Sequence, residues 1–244
     1  MRRERILGIP FDNVGVEEAL RITEDLVRKK RGRTIVHLSL PTLMMARRST
    51  FLRIFLEEAD IIIPTGKLIH WGARVLKRPV LERIDPSSFI KMLFAQSVEL
   101  NKSVYLLGGR EGVIEKVHVN LKREIPRIFV IGKCRGNYPK HLHDNVVKAI
   151  GKASPDYLFI GLGSPLEEQY VERNREKLNA GITVLIGGLF DIFAGSGKRS
   201  ISPSKFHGGE GYGREIQHRG GFKKIWRVPV FIIIVFFERI FWRR

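Results

Sequence analysis

The sequence predicts an α/β protein with a Rossmann-like, largely parallel sheet that carries helices on both faces. Short apolar runs recur along the chain, and each is closed by Gly or Pro and followed by a helical pattern. Strands that alternate with helices of this length are typical of βαβ units. The runs are continuous in Val, Ile, Leu and Tyr, as expected of strands that are buried on both faces.

Six strands and five helices are predicted in this alternating order. The strands are 33–38, 60–63, 103–107, 128–131, 157–160 and 183–186, because each is a short apolar run that stops before a turn signal. The helices are 42–48, 67–76, 112–124, 141–152 and 166–178, because each follows such a run with helical spacing. The length suits a core domain at 1–195 and a basic, partly apolar C-terminal appendage at 196–244.

The net charge is strongly positive. The chain has 43 Lys and Arg against 25 Asp and Glu, which gives +18. Such an excess implies an anionic partner, which is a nucleic acid, an acidic membrane surface or a phosphate-bearing substrate, unless the surface is simply basic. The basic tail has no recognisable nucleic-acid module and interleaves its charges with aliphatic residues, so we expect no nucleic-acid partner.

Few features of the sequence indicate the cellular compartment of the protein. The chain has one cysteine, Cys134, which excludes an internal disulfide framework and suits the cytoplasm. The apolar stretch 6–9 is too short for the core of a signal peptide. No run approaches the ~20 apolar residues that a spanning helix needs. We expect a cytoplasmic protein.

The appendage combines basic and apolar segments. Eleven Lys and Arg stand against three Glu from Lys198 to Arg244. The apolar segment 228–237 is bracketed by Trp226, Trp242 and six basic residues. A segment of this kind suits insertion at the headgroup boundary of an anionic membrane. The alternative is a terminal helix that packs on the core or on another subunit, and a homo-oligomer is left open.

Glycine turns follow three of the predicted strands. Glycine lets the backbone approach a phosphate, and the following helix N-terminus supplies N–H donors. Glycine also ends strands for steric reasons, but three turns at successive strand ends favour a nucleotide-type crevice. Asp191, just past the last strand, either binds a ribose or base or caps a helix. The turns contain Gly108, Gly109, Gly161, Gly163, Gly187 and Gly188.

Acid–base candidates are His37 and the pair Glu167 and Glu168. His37 ends a strand, and histidine is the commonest general base, although a lone histidine is more often a hydrogen-bonded structural residue. Carboxylates in a first helical turn often only complement the helix dipole. No HExxH, CxxC or DxD-like pattern is present, so we expect no metal and no other cofactor. Arg, Lys and backbone N–H groups would then neutralise a diphosphate.

As a set, several stretches resemble the WecG/TagA/CpsF family of bacterial glycosyltransferases. The resemblance implies metal-independent, inverting transfer of an N-acetylhexosamine, typically N-acetylmannosamine, from its UDP derivative, in cell-surface polysaccharide or teichoic-acid-type synthesis. It implies an undecaprenyl-diphosphate-linked acceptor and peripheral attachment to the inner face of the cell membrane through the appendage. The resemblance runs in order over residues 6–200, through 58–66, 82–84, 104–113, 161–165, 187–195 and 198–199.

The resemblance also marks departures. Thr65 stands where the family has its proposed catalytic Asp, and a Thr hydroxyl has too high a pKa to act as the base. Ser39 stands where the family has Asn, and Glu167 where it has Gln. Arg83 is retained, whereas the Asp expected five residues later is Ser88.

Two functions follow from this pattern. One is a divergent transferase in which His37, or a carboxylate such as Asp85 or Glu167, replaces the missing base. The other is a non-catalytic relative that keeps the UDP-sugar pocket and acts at the membrane. The expected catalytic residues are His37, Thr65, Arg83 and Glu167; the donor-binding residues are Ser39, Gly66, Gly108, Gly109, Tyr138, Gly161, Gly163, Gly187, Gly188 and Asp191; the phosphate or membrane contacts are Arg214, Arg219, Lys223 and Lys224.

Overall fold

The computed structural model describes residues 2–29, 32–78, 82–195 and 227–241. A β-hairpin comes first and consists of β1 (Arg2–Ile6) and β2 (Ile9–Asn13). Six further strands form one parallel sheet in the order β4-β3-β8-β7-β5-β6. These strands are β3 (Arg33–Leu38), β4 (Ile61–Pro64), β5 (Ser103–Gly108), β6 (Phe129–Cys134), β7 (Tyr157–Gly161) and β8 (Ile182–Leu185).

Helices cover both faces of the sheet. One face carries α2 (Leu40–Ala46), α3 (Thr50–Glu58), α4 (Lys67–Val75), α7 (His143–Ala153), α8 (Leu166–Leu178) and α10 (Arg227–Phe241). The other carries α1 (Val16–Lys29), α5 (Pro86–Glu99), α6 (Val113–Glu124) and α9 (Leu189–Phe193). No helix in the described ranges has the length and apolar character needed to cross a membrane.

The strand β7 shows how the sequence builds two cores from one sheet. Successive side chains of a strand point to opposite faces. Leu158 and Ile160 therefore enter the core under α8, whereas Tyr157 and Phe159 enter the core under α5. All four are fully buried, so a continuous apolar run in the sequence becomes two alternating sets of core residues.

The hairpin protects one edge of the sheet. Asp12 is fully buried, and its carboxylate accepts a hydrogen bond of 2.7 Å from the backbone N–H of Ile62 in the edge strand β4. Arg3 pairs with the same carboxylate at 2.9 Å, which offsets the cost of burying the charge. The edge strand thus has a fixed partner for a backbone group that would otherwise be open to another chain.

The chain reverses its direction of travel across the sheet between β5 and β7. From β5 the chain passes through α6 to β6 on one side, and from β7 it passes through α8 to β8 on the other. Where neighbouring parallel strands diverge in this way, a crevice forms outside their carboxyl ends, and ligands bind there. The candidate site is built around this crevice.

The predicted fold class and all six predicted strands are confirmed, with small shifts at the ends. The hairpin and α1, α3, α5 and α9 were not predicted. The hairpin turn consists of Leu7 and Gly8, both with positive φ, which is the geometry of a two-residue turn but lacks the usual Asn-Gly signal. The division into a core and an appendage stays a prediction, because most of 196–244 lies outside the described residues.

Candidate active site

The turn after β4 lies at the carboxyl edge of the sheet. Thr65 is buried, its N–H donates to the carbonyl of Leu38 at 2.9 Å, and its hydroxyl donates to the same oxygen at 3.2 Å. This contact extends the pairing of β3 with β4 by one residue. The hydroxyl proton is directed at the main chain, and a carbonyl can only accept. Thr65 therefore holds the turn together and does not present a base to a substrate.

Gly66 and Ser39 lie beside Thr65. Gly66 has a φ of +89°, and a Cβ added there would meet no atom within 4 Å. The turn thus needs glycine for its backbone conformation and leaves open space at the start of α4. Ser39 caps α2: its Oγ accepts from the N–H of Thr42 at 3.3 Å and lies 2.9 Å from the Thr42 hydroxyl.

The glycines at the switch point serve close packing. A Cβ on Gly108 would collide with the carbonyl oxygen of Gly161, and the N–H of Gly109 donates to that same oxygen at 3.2 Å. Gly136 packs in turn against Gly108, since its added Cβ would lie 3.2 Å from the Gly108 Cα. The turns after β5, β6 and β7 are therefore joined backbone to backbone. These glycines bring three loops together at the crevice.

Glu167 ties two of the glycine turns to each other. Its Oε2 accepts from the N–H of Gly163 and from the N–H of Gly187, both at 3.0 Å. The side chain is buried at the first turn of α8. Because Gly163 follows β7 and Gly187 follows β8, this one carboxylate sets the spacing of two strand ends. The contacts are those of a positioning residue.

The adjacent buried carboxyls of Glu167 and Glu168 both have raised pKa values. Burial and the charge of Glu168 raise the pKa of Glu167 well above its ordinary value, against the opposing effect of the Gly163 and Gly187 N–H donors. Burial raises the pKa of Glu168 to about 7, and the Ser164 hydroxyl lowers it in part. Two buried carboxylates this close disfavour double ionisation. The pair therefore retains a proton near neutral pH.

His37 is oriented by the neighbouring strand. Its Nδ1 lies 3.0 Å from the carbonyl oxygen of Leu185 in β8. A carbonyl only accepts, so Nδ1 carries the proton and Nε2 carries the lone pair in the neutral ring. The ring meets Phe89 edge-on at 6.0 Å, and the Nε2 atom is enclosed in this conformation. The tautomer suits a base, but a substrate reaches Nε2 only after a rearrangement around the ring.

Arg83 lies in the segment that leads from residue 82 into α5. It is exposed and forms no ion pair with any residue in the described ranges, so its charge is open to a ligand. The segment is anchored on both sides of Arg83. Asp85 caps α5 by accepting from the N–H and hydroxyl of Ser88, at 2.9 and 3.1 Å, and Glu82 accepts from the N–H of Val16 at 3.1 Å.

His70 also holds this segment, and sequence reasoning missed it. Its Nδ1 lies 3.1 Å from the carbonyl of Gly66 and its Nε2 lies 3.1 Å from the carbonyl of Glu82. A single buried ring thus joins the turn after β4 to the residue before Arg83. His70 lies in an apolar helical run, and nothing in that local sequence distinguishes this bridging role from ordinary core packing.

Asp191 and Tyr138 have partners of their own. Asp191 pairs with Arg110 at 3.3 Å, which connects α9 to the loop after β5. Arg110 was not among the predicted residues, although it directly follows Gly108 and Gly109. Tyr138 is buried and its hydroxyl lies 3.1 Å from Nδ1 of His143, so in this structure it belongs to the core under α7. Gly188 precedes α9 as its N-cap residue.

The predicted residues fall into groups at one edge of the sheet. Ser39, Thr65 and Gly66 lie at the ends of β3 and β4; Gly108 and Gly109 meet Gly161; Glu167 joins Gly163 to Gly187. Arg214, Arg219, Lys223 and Lys224 lie outside the described residues. The arrangement offers glycine-lined turns that can hold an anion and, in the segment that His70 joins to the Gly66 turn, a guanidinium that forms no ion pair within the described ranges.

Comparison with known proteins gives a match over nearly the whole chain. The model of the glycosyl transferase WecG/TagA/CpsF family matches residues 4–244. Three similar proteins bear the name N-acetylglucosaminyldiphosphoundecaprenol N-acetyl-beta-D-mannosaminyltransferase. The one from Bacillus subtilis strain 168 is 26% identical over 205 residues, or 83% of this chain and 78% of the relative. The one from Staphylococcus aureus strain NCTC 8325 is 25% identical over 200 residues, or 80% and 77%. The one from Bacillus spizizenii is 29% identical over 147 residues, or 60% and 56%.

Proposed function

The chain belongs to the WecG/TagA/CpsF family of glycosyltransferases, and from this premise we propose that it transfers an N-acetylhexosamine from a UDP-sugar to an undecaprenyl-diphosphate-linked acceptor. The observation that carries the proposal is the family match over residues 4–244. The names of the relatives from Bacillus subtilis and Staphylococcus aureus support the lipid-linked acceptor and favour N-acetylmannosamine as the sugar. The reaction would serve synthesis of cell-surface polysaccharide, at the inner face of the membrane.

The donor diphosphate is proposed to lie in the crevice outside β5 and β7. The glycine turns there allow the backbone to approach the phosphates, and the N-termini of α6 and α8 favour negative charge. Arg83 is exposed, forms no ion pair within the described residues and lies next to Glu82, which His70 joins to the turn after β4, so it is proposed as a further phosphate contact from that side of the sheet. Its planar guanidinium can bind a phosphate through two donors at once. Charge on the departing UDP would be stabilised without a metal.

The base is proposed to be His37. As the acceptor hydroxyl oxygen forms a bond to the anomeric carbon, the bond from that carbon to the β-phosphate oxygen breaks and UDP leaves with the electron pair. The hydroxyl proton passes to Nε2 of His37. The contact of Nδ1 with the Leu185 carbonyl supports this role, because it holds the ring in the tautomer that accepts at Nε2.

The second candidate is a non-catalytic relative that binds a UDP-sugar at the membrane. Two observations favour it: the Thr65 hydroxyl is committed to the Leu38 carbonyl, and the Nε2 of His37 is enclosed. On this hypothesis the family's Asp was lost together with its activity, while the positioning contacts of Glu167 were kept.

Acceptor-dependent UDP release separates the two candidates. The native chain is offered a panel of UDP-N-acetylhexosamines and a lipid-diphosphate-linked acceptor in liposomes. We expect turnover by the native chain, and a kcat lowered by roughly 10²–10⁴ in His37→Gln, since that is the usual contribution of a general base. His141→Gln is the matched control, because His141 is exposed in a short 3-10 turn (Lys140–Leu142).

The remaining outcomes each favour a different hypothesis. Turnover that survives His37→Gln would place the base elsewhere, and Asp85→Asn would be the next variant. A silent native chain that gains activity in Thr65→Asp would mean that the pocket is intact and only the base was lost. If neither the native chain nor Thr65→Asp releases UDP, while UDP-sugar binding is retained, the non-catalytic candidate would be supported.

A further inference from the structure

Arg110 and Asp191 form an ion pair at the carboxyl edge of the sheet. The pair joins Nη2 of Arg110 to Oδ1 of Asp191 at 3.3 Å. Arg110 lies in the loop after β5, and Asp191 lies in α9, which follows β8. In the sheet, β7 stands between β5 and β8, and neighbouring strands are about 4.8 Å apart. The pair therefore reaches from one loop to another past the carboxyl end of β7.

The backbone on both sides of Arg110 is held in place. Before it, the N–H of Gly109 donates to the Gly161 carbonyl at 3.2 Å, and the Gly109 carbonyl accepts from the N–H of Gly136 at 2.9 Å. After it, the N–H of Val113, the first residue of α6, donates to the Arg110 carbonyl at 3.0 Å. The Arg110 side chain therefore leaves the main chain between the glycine turn and the N-terminus of α6.

The helix that carries Asp191 is also anchored to α6. The side-chain amide of Asn120 in α6 donates to the Phe193 carbonyl at the end of α9, at 2.8 Å. Asp191 itself is buried, so its carboxylate has little room to move. The ion pair and the Asn120 contact together join α9 to α6 and to the loop before it, and the carboxylate thereby fixes the direction of the Arg110 side chain.

Most of the hydrogen-bonding capacity of the Arg110 guanidinium is unused. The group has five N–H donors, and within the described residues its side chain meets one acceptor, Oδ1 of Asp191. The 3.3 Å separation is longer than the about 2.7–2.9 Å of a strong charge-assisted hydrogen bond. The side chain is 38% exposed. Arg110 can therefore stay beside Asp191 and still present N–H groups to a ligand.

We propose that Arg110 binds the diphosphate of the nucleotide-sugar donor. The inference rests on the proposed function and adds a donor-binding residue to that site. A guanidinium can pair with two phosphate oxygens at once, and Arg110 directly follows the glycine turn after β5. Arg135, in the loop after β6, is already paired with Glu111 at 2.8 Å and lies one strand farther from β7. The pair of Arg110 with Asp191 is neutral overall, so binding depends on directed N–H donors.

Binding of uridine and of UDP by the full chain tests the proposal. Both ligands carry the same nucleoside and only UDP carries a diphosphate, so the ratio of their Kd values isolates the phosphate contacts. We expect Arg110→Ala to weaken UDP binding by roughly 10- to 100-fold and to leave the Kd of uridine within about twofold. Arg110→Lys should recover part of the loss, because it keeps the charge without the planar pair of donors.

Arg33→Ala is the matched control. Arg33 pairs with Asp60 at 2.7 Å and its side chain is 34% exposed, but it begins β3 at the amino edge of the sheet. Loss of this ion pair should leave both Kd values unchanged. Equal weakening of uridine and UDP binding in Arg110→Ala would mean that Arg110 only holds its loop, and this result would overturn the inference.

The proposed acceptor also carries a diphosphate, so a further measurement separates the two sources. At saturating UDP-sugar, KM for a short-chain lipid-diphosphate acceptor should be the same in Arg110→Ala as in the native chain. A raised KM for the acceptor, with an unchanged ratio of the uridine and UDP Kd values, would overturn the assignment to the donor. A native chain that binds neither uridine nor UDP would contradict the proposed function, and the inference with it. Native binding of UDP that Arg110→Ala leaves unchanged would count against Arg110 alone.

Discussion

Glu167 and Glu168 are neighbours in the sequence but differ in role. Glu167 is held by two backbone N–H groups and sets the spacing of the turns after β7 and β8. Glu168 is equally buried, and its Oε2 has no hydrogen-bond partner within the described residues. Burial of this carboxyl disfavours its charged form, and the donors that face it offset that cost only in part. The two carboxyls titrate as a pair, and we assign to Glu168 the proton that is lost as the pH rises through about 7.

This assignment predicts a specific pH dependence of stability. A folded-state pKa of about 7 lies above that of a free glutamate, so the folded protein holds more protons. Its free energy of unfolding then falls as pH rises from about 4.5 to 7. Glu168→Gln removes the titrating group. At pH 8 we expect it to be more stable than the native chain by up to about 3 kcal/mol, with no such gain near pH 4.

Urea unfolding at several pH values checks this prediction. Glu176→Gln is the control, because Glu176 is exposed on the same helix. Parallel stability curves for Glu168→Gln and the native chain would show that the proton does not reside on Glu168.

At the scale of elements, α10 has a small interface. The helix adds to the core through Phe231 and Val235, over Gly72 and Trp71 of α4. Elements with few buried contacts open at a lower free-energy cost than the sheet does. We therefore expect α10 to undock from the core before the sheet unfolds.

Phe231→Ala should release α10 while the sheet stays folded. Large-to-small changes of a buried Phe cost about 3–5 kcal/mol, which is enough to undock a helix with this interface. Hydrogen exchange should show lost protection at Arg227–Phe241 and unchanged protection in β7. Phe237→Ala is the control on the exposed side of the same helix. Equal protection of α10 in both variants would mean that other contacts hold it.

At the scale of the whole molecule, the topology places the crevice at the junction of β5 and β7. The strand order brings together turns that are about 50 residues apart in sequence, Gly108 and Gly161. They meet because β5 and β7 are neighbouring parallel strands, so their carboxyl ends lie side by side. A ligand bound there contacts loops from both halves of the sheet and should stabilise the fold as a unit.

UDP should therefore raise the melting temperature of the full chain. At a concentration 100 times Kd, binding adds about 2.7 kcal/mol, or roughly 5–10 °C for a chain of this size. Arg83→Ala should reduce the shift to about a third at the same concentration, because a charge-assisted contact contributes roughly 1.5–3 kcal/mol. Arg127→Ala is the control: this exposed residue precedes β6 at the opposite edge of the sheet. No shift with UDP in the native chain would contradict a nucleotide crevice.

The sequence by itself determined the fold class, the six parallel strands and the family. Continuous apolar runs ended by Gly or Pro report burial on both sheet faces, and this signal is local. It also located the turns at Gly66, Gly108, Gly163 and Gly187, because positive φ and close backbone approach demand glycine.

Only the tertiary structure decided what the polar residues do. His70, Arg110 and the pairing of Thr65 with Leu38 depend on groups far apart in the chain, and no local pattern announces them. The same holds for the packing of α10, since Phe231 lies over Gly72 and Trp71, which are far from it in the chain. Hydrogen bonds and charge interactions depend on which groups meet in space. Burial instead selects apolar residues, which are visible in the sequence as continuous runs in the strands and as helical spacing in the helices.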